Sequence, residues 1–351
     1  GIQIADSDST TVTVTFTHSA GTLSVATNVA NGLIASAVSG SGTATLILTG
    51  TVAQINATLA ASSGLIYTPT ENFNGNATLT MTTNDGVGGV DSDTLAMTVS
   101  AVNDIPTLTA FASSIDATNE DTAVEMTLAD LLAQGNEADV DGTVTSFVVK
   151  AVSSGSLKIG TSEALAQSWN ATTNATVDTT NKAYWTPAAN ANGTLNAFTA
   201  VAKDNNGAES STAIMATVTV AAVNDAPTGT SSTLTILEDG SKTFTANDFG
   251  FSDAVENHAL QAVIITTLPT AGTLTLSGVA VSANQSIALT NLGNLVYTPA
   301  ANANGNSYAT IGFKVQDAGG TDNGGVDTSI SANTLTVDVS AVNDAPVINA
   351  I

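Results

Sequence analysis

The sequence has no cysteine and no arginine, only two histidines, and an aromatic content of 4%. Without cysteine there are no disulfides, no thiolate metal sites and no thiol nucleophile. With His18 and His258 as the only imidazoles, a histidine-built metal or catalytic centre is not expected. Six lysines face 30 acids, giving a formal net charge of −24. That charge argues against nucleic acid as a partner, because phosphate binding needs clustered Lys/Arg. It argues equally against an anionic membrane surface. No run approaches the ~18 apolar residues of a spanning helix, so no membrane insertion is expected. The sequence also lacks a G-x-S-x-G elbow and a phosphate loop ending in Lys-Ser/Thr. The chain opens on Gly1, with neither initiator Met nor signal peptide, and reads as a piece of something larger or a processed product.

What is present is a hydrophobic content of 43%, carried by Val, Leu, Ile, Ala and Thr, which is not a disordered composition. The acids comprise 22 Asp against 8 Glu. Glu suits exposed helix faces, whereas Asp prefers turns and loops. Loop Asp in this quantity, with little Lys to neutralise it, suggests bound divalent cations.

One unit recurs three times. Ala101-Val102-Asn103-Asp104-Ile105-Pro106 returns as Ala222–Pro227 and as Ala341–Pro346, at spacings of 121 and 119 residues. Before each stands Tyr67-Thr68-Pro69, Trp185-Thr186-Pro187 or Tyr297-Thr298-Pro299. Then comes Asn72-Phe73-Asn74-Gly75, Asn190-Ala191-Asn192-Gly193 or Asn302-Ala303-Asn304-Gly305. Such a period is too long for a solenoid coil of ~20–45 residues and fits a whole domain. The expected domains are 1–104 (incomplete at its N-terminal side), 105–225 and 226–344, with 345–351 opening a further repeat.

The local pattern is β. Thr11–Thr17 reads T-V-T-V-T-F-T, a strict period of two, and Leu95–Val99, Ala216–Val220 and Thr334–Val339 alternate likewise. Asn-Gly pairs at 31–32, 74–75, 192–193, 206–207 and 304–305 are hairpin-type turn signals. Val52–Ala60 and Thr127–Gln134 have apolar residues at helical spacing and are read as loop excursions. The expected architecture is all-β: a tandem array of about three Ig/cadherin-like sandwiches in an extended rod. Tyr67, Trp185 and Tyr297 are expected as core plugs rather than a sugar platform, and the histidines as surface residues. Aligning Ile2–Asp6 with Phe249–Asp253 leaves the first unit without about two strands' worth of chain. Either the fragment is cut from a longer array, or neighbouring chains complete each other through an open sheet edge.

The Val-Asn-Asp-Ala-Pro boundary resembles the cadherin linker. The closer resemblance, covering essentially the whole chain, is to the cadherin-like and VCBS-type repeats of giant bacterial surface proteins, where such boundaries alternate with Tyr-Thr-Pro…Asn-Phe-Asn-Gly segments. The resemblance implies calcium-stiffened β-sandwiches serving as extender arms of adhesins exported by type I secretion. It implies calcium ligands at the acidic pairs Glu120-Asp121 and Glu238-Asp239, which the first unit lacks. The linker ligands would be Asn103 and Asp104, Asn224 and Asp225, Asn343 and Asp344. A D-x-D-like element matches Asp6-x-Asp8 and Asp139-x-Asp141. The third unit has Asp253-Ala-Val-Glu256, so the spacing departs and only Asp253 is carried over. A further Asp sits near the last hairpin: Asp85, Asp204 and Asp317.

Elementary chemistry agrees with calcium. The ion takes six to eight oxygens at about 2.3–2.6 Å, and Asp, Asn and Gly in short loops supply them. Nothing offers the soft donors of zinc or copper. Asp91, Asp93, Asp322 and Asp327, near Gly-rich loops, are either further ligands or solvated acids. Paired acids once per unit suit architecture better than one active site, so no enzyme is expected. The expected role is an extracellular extender on a bacterial cell surface, contacting neighbouring repeats of its own chain and projecting a distal adhesive domain. Two other classes stay open: a self-assembling filament or sheath subunit, and a carbohydrate- or protein-binding module. The module's only candidate is the second unit's extra stretch Ser153–Asn181, with Trp169.

Overall fold

A computed structural model describes residues 1–345. Pro346–Ile351, most of the expected opening of a further repeat, lies outside the described residues. The chain divides into two compact units. One gathers residues 1–108, 137–145 and 202–212; the other gathers 109–136, 146–201 and the chain from 213 onward. The first unit thus contains the Asn103-Asp104 linker with the loops around it, and the second contains Asn224-Asp225 and Asn343-Asp344.

The fold is all-β, a tandem array of Ig/cadherin-like sandwiches. The first repeat has a five-stranded sheet ordered Val38–Ser39, Thr45–Gly50, Val12–His18, Gly75–Asn84, Val90–Val99. Facing it is a two-stranded sheet of Thr22–Val25 and Leu65–Thr68. The second repeat has Thr176–Val177, Val144–Val152, Gly193–Asp204, Ile214–Ala221 and Asp116–Asn119 in one sheet. Its other sheet holds Gln167–Ser168, Ser156–Gly160, Lys182–Thr186 and Val124–Met126. The third has Ser232–Leu237, Asn333–Ser340, Gly305–Asp317, Leu260–Thr267 and Gln285–Ala288 against Lys242–Thr243, Leu295–Thr298, Thr273–Leu276 and Val279–Ala280.

The alternation read from the sequence sets which side chains face inward. Val12, Val14 and Phe16 are buried on one face of their strand, with Leu23, Leu46, Leu48 and Ile55 in the same core. In the third repeat Phe249 meets Phe313 edge-on, ring centroids 5.0 Å apart, a favoured aromatic geometry.

The closing strands Ile214–Ala221 and Asn333–Ser340 are each flanked by a parallel opening strand, Asp116–Asn119 and Ser232–Leu237. In the first repeat the equivalent strand, Val90–Val99, ends the sheet.

The two loop excursions form helices, Val52–Ala60 and Leu128–Gln134. Each starts with a reciprocal cap. Thr51 Oγ1 accepts from Gln54 N at 3.2 Å while Thr51 N donates to Gln54 Oε1 at 3.1 Å. Thr127 and Asp130 repeat this arrangement, and such boxes satisfy first-turn N–H groups. The Asn-Gly pairs at 74–75, 192–193 and 304–305 are not hairpin turns. They lead into Gly75–Asn84, Gly193–Asp204 and Gly305–Asp317, carrying the chain from one sheet to the other. The glycines of these pairs have positive φ, and so do the non-glycine residues Asn72, Asn190 and Asn302 just before them, with φ of 62, 58 and 55°.

Trp185 and Tyr297 are fully buried and Tyr67 is half-buried. Each donates to the carbonyl just before a glycine: Tyr67 Oη to Ala20 O, Trp185 Nε1 to Ser154 O at 2.7 Å, Tyr297 Oη to Ala271 O at 2.9 Å. Burial pushes the Tyr297 phenol up to about 12, so it remains a donor. The glycine in question is Gly155 in the second repeat, with φ of 65° and space for no Cβ, which would lie 2.2 Å from Thr186 O. Gly21 and Gly272 occupy the same place beside Tyr67 and Tyr297.

His18 departs from expectation. Its ring packs edge-on against Tyr67 at 5.6 Å, and both ring nitrogens are shielded from solvent without a hydrogen-bond partner.

Gly155→Ala combines a disfavoured φ with a collision against Thr186 O, whereas Gly193→Ala, with φ of 95° and nothing within 4 Å, has only the φ cost. Gly155→Ala should lose about 2 kcal/mol more stability than Gly193→Ala in equilibrium denaturation; equal losses would show that this turn has room to relax.

Candidate metal sites at the two linkers

Each linker is clamped by its asparagine. Asn224 is buried; its Nδ2 donates to Asp317 Oδ1 and Oδ2 at 3.1 and 3.3 Å and to Val326 O at 2.9 Å. Asp317 is fully buried and also accepts from Gly319 N at 2.8 Å. A Cβ on Gly319 would stand 1.8 Å from Asn224 Oδ1, so that turn admits only glycine. At the first linker Asn103 Nδ2 donates to Asp204 Oδ2 at 2.8 Å and to Asp104 O at 3.0 Å. Asp204, also buried, accepts from Asn206 N and Ala208 N at 2.9 and 2.8 Å. The Asn103 bond, with these amides, holds the Asp204 carboxyl below its usual range.

The next linker residue meets an acid of the following loop. Asp104 N donates to both Asp141 oxygens at 3.2 and 3.3 Å. Asp225 N donates to Glu256 Oε2 at 3.4 Å. Glu256 therefore stands where Asp141 stands: one residue farther along, one methylene longer, reaching the same amide. Asp139 and Asp253 are also equivalent in place. Asp139 Oδ1 accepts from Asp141 N and Gly142 N at 3.2 and 3.1 Å. Asp253 accepts from Val255 N at 3.3 Å and His258 N at 2.7 Å.

The acidic pairs follow one linker in sequence but sit beside the next one in space. Glu120 is buried; its carboxylate accepts from Val223 N and, at 3.5 Å, from Asn192 Nδ2, while Asp121 accepts from Asn190 N at 3.2 Å. Glu238 and Asp239 repeat this at the chain's end, with Val342 N and Asn304 Nδ2 at 2.7 Å each and Asn302 N at 3.0 Å. Asp121 and Asp239 have left-handed φ of 58 and 60°, which turns each pair back toward its linker.

The second linker thus collects Glu120, Asp121, Asp225, Asp253 and Glu256 around one joint. Burial pushes the Asp225 carboxyl up, and the charges of Asp121, Glu120 and Asp253 add to it. Burial likewise raises Glu256, with Asp225 and Asp253 contributing. Three carboxylate oxygens are shielded from solvent with no partner among the described residues: Glu137 Oε2 and Asp139 Oδ2 in the loop at the first linker and Glu256 Oε1 at the second. Dehydrated, unpaired carboxylate oxygens are costly unless a cation faces them.

The remaining predicted residues fall elsewhere. Asp6, Asp85 and Asp91 line one cavity of about 440 Å3 in the first repeat. Asp85 Oδ1 accepts from Val87, Gly88 and Gly89 N, and these amides, Val87 first, hold its carboxyl low. Asp6 is lowered chiefly by Ser9 N, then by Asp8 N; Asp8 and Asp93 are exposed. Asn343 and Asp344 are exposed. Asp327 accepts from Gln316 Nε2 at 2.7 Å.

Sequence reasoning passed over two residues at the second linker. Glu256 broke the D-x-D spacing, although it is the next acid after Asp253. His258 was expected to be an unrelated surface residue. Its Nδ1 instead lies 2.7 Å from Asn224 Oδ1 and 3.5 Å from Asp253 Oδ2. Because Asn224 Nδ2 is already donating, Oδ1 accepts and Nδ1 carries the hydrogen. One donor atom each from Asp253, Glu256 and His258 lies within 4.8 Å of the others. No sequence pattern marked His258, since the first linker fills its place with the Asn206 amide, which donates to Asn103 Oδ1.

Residues 224–329 match the bacterial Ig domain family. Among curated proteins no sequence matches the chain. Among solved structures it is similar to the protocadherin gamma B2 extracellular cadherin domains 1–5, at 14% identity over 92% of this chain and 53% of that one, TM-score 0.46. It is also similar to mouse cadherin-23 EC22–24, at 16% identity over 94% and 86%, TM-score 0.42. For mouse protocadherin-24 EC1–3 the values are 12% identity, 91% and 90%, and 0.47. The chain spans about half the length of the protocadherin gamma B2 structure.

Proposed function

We propose that these repeats are a calcium-stiffened extender segment of a secreted bacterial surface adhesin of the VCBS and cadherin-like type, projecting a distal binding domain. The observation that carries this reading is the set of buried, unpartnered carboxylate oxygens at the linkers, Glu137 Oε2 and Asp139 Oδ2 at the first and Glu256 Oε1 at the second.

The residues fit a hard dication. At the first linker Asp104, Asp139 and Asp141 would hold it. At the second, Glu120, Asp121, Asp225, Asp253 and Glu256 would do so. The donors are oxygens, with the His258 ring as the one nitrogen nearby, and calcium takes such sets. Without a cation these carboxylates repel across the joint, and that repulsion opposes any fixed angle between repeats. With one, the same charges pull the linker and both flanking loops together. The chain's own work is to present the oxygens: the Asn clamp fixes the linker, and the left-handed Asp121 and Asp239 turn the acidic pairs inward. Helices long and apolar enough to cross a membrane are absent among the described residues.

Trp169 gives little support to a carbohydrate module. Its indole donates to Val149 O at 3.2 Å and packs against Val148, Ala175 and Val201, so the ring is committed to its own sheet.

Three outcomes test the reading. Chelation should lower the melting temperature and enlarge the particle in solution scattering; identical melting and dimensions in calcium and chelator would sink it. Glu256→Gln keeps the shape but removes the charge. It should cut the calcium-induced rise in melting temperature by about half or more, since the shared ion loses a charged ligand. The third outcome concerns pH. Asp225 and Glu256 have raised folded-state values, so the folded chain binds protons more tightly than the unfolded one. In chelator, stability should therefore rise as pH falls from neutral toward the ordinary carboxylate range. Asp85 and Asp204 are lowered, and their contribution is lost as pH falls from the ordinary carboxylate range toward the lowered values. In calcium the trend should reverse, because protons compete with the ion; thermal melts across pH with and without calcium read both signs.

A further inference from the structure

The third repeat turns its last hairpin with a longer loop than the other two. Asp85 N donates to Gly89 O at 3.1 Å and Asp204 N to Ala208 O at 3.0 Å, so three residues, 86–88 and 205–207, close those turns. Asp317 N donates to Asp327 O at 2.9 Å, and nine residues, 318–326, lie between them. Most of this loop is the run G-G-T-D-N-G-G over 319–325.

The two legs of the loop close on the linker. On one leg Gly319 has no room for a Cβ beside Asn224 Oδ1; on the other, a Gly325 Cβ would stand 3.0 Å from Asn224 N and 3.1 Å from Asn224 Cβ. Val326 N donates to Asn224 O at 2.8 Å, and Asn224 Nδ2 returns a bond to Val326 O at 2.9 Å. The tip between the legs is a short helical turn, Asp322–Gly324, in which Asn323 has a left-handed φ of 57°, a conformation asparagine tolerates. The Asn323 carbonyl accepts from Asn119 Nδ2 at 3.1 Å. Asn119 ends the opening strand Asp116–Asn119 of the second repeat, opposite Ala221, and directly precedes Glu120-Asp121. The loop thus leaves the third repeat, clasps the linker and finishes on the second repeat. At the first linker the three-residue turn sends its Asn206 amide to Asn103.

We propose that loop 318–326 is a strap, a contact between the second and third repeats made by protein groups alone, which keeps the second joint docked before any cation arrives. The bonds to Asn224 O, Val326 O and Asn323 O join neutral amides and carbonyls, so salt does not screen them as it screens exposed charges. The charges they work against are those of Glu120, Asp121, Asp225, Asp253 and Glu256 at the same joint. By holding Asn119 the strap also positions Glu120-Asp121, the next residues in the chain, and so reduces the ordering that a cation must impose; that clause alone rests on the calcium reading.

The test is single-molecule energy transfer on the whole chain in chelator. The sequence has no cysteine, so Thr173→Cys in the second repeat and Val279→Cys in the third, both exposed, take the two dyes. The parent chain should populate chiefly one transfer efficiency, that of the docked joint. Asn119→Ala should lower the ratio of docked to undocked molecules about fivefold, the effect of losing one hydrogen bond. Replacing 318–326 by Asn-Asn-Gly, the sequence of 205–207, should abolish the docked population. Asn119 Nδ2 makes no other hydrogen bond among the described residues, so Asn119→Ala leaves both repeats folded, and equal melting in chelator checks this. Efficiency distributions that coincide in all three chains overturn the proposal, and so does a parent chain already undocked in chelator. Calcium is added last. Return of the Asn119→Ala chain to the docked efficiency supports the strap and the calcium reading together. No response to calcium in any chain counts against the calcium reading, while the ratios in chelator decide the strap.

Discussion

Like charges crowded into partly dehydrated loops are the constraint around which both linkers are organised. Water screens such charges poorly once they are buried, so their mutual repulsion is larger than on an open surface. Two lysine ion pairs lie elsewhere: Lys182 pairs with Glu125 at 2.6 Å and Lys242 with Asp248 at 2.8 Å, and neither acid belongs to a linker. Burial first, and the neighbouring acids after it, displace the Asp225 and Glu256 carboxyls upward. Backbone amides and asparagine side chains absorb part of that repulsion, one lone pair at a time. Glu137 Oε2, Asp139 Oδ2 and Glu256 Oε1 are what the donors of the described residues leave over.

The two linkers solve one geometric problem with different side chains. A buried aspartate, Asp204 or Asp317, is held by amides of its own turn and offers an oxygen to the linker asparagine. The asparagine is fixed in turn by a donor on its other face: the Asn206 amide at the first linker, the His258 imidazole at the second. An amide is neutral at every accessible pH, whereas an imidazole is not. The joints are therefore alike in shape and unlike in chemistry.

Much of this was legible in the sequence because it rests on short-range pattern. T-V-T-V-T-F-T has the period of a pleated strand, and its valines and phenylalanine are the buried face. The Tyr/Trp-Thr-Pro marker sits where a large ring fills each sandwich. What stayed hidden depends on distance in space. Glu120 lies 16 residues after Asp104 in sequence, yet it binds Val223 beside the following linker, because its strand Asp116–Asn119 lies parallel to the end of the closing strand that leads into that linker. Glu256 was obscured by an extra residue that its longer side chain compensates. His258 has no counterpart in the other repeats, so repetition could not reveal it. The Asn-Gly pairs misled because the same φ > 0 chemistry that closes hairpins also opens sheet-to-sheet crossings.

The parallel pairing of opening and closing strands has a mechanical consequence. In the third repeat, Ser232–Leu237 enters from one linker and Asn333–Ser340 leaves toward the other, side by side over six facing residue pairs. Tension drawn along the polypeptide slides these neighbours lengthwise, so their hydrogen bonds share the load and must yield together rather than unzip in turn. The second repeat engages only four facing pairs. Under a steady pull it is the softer link.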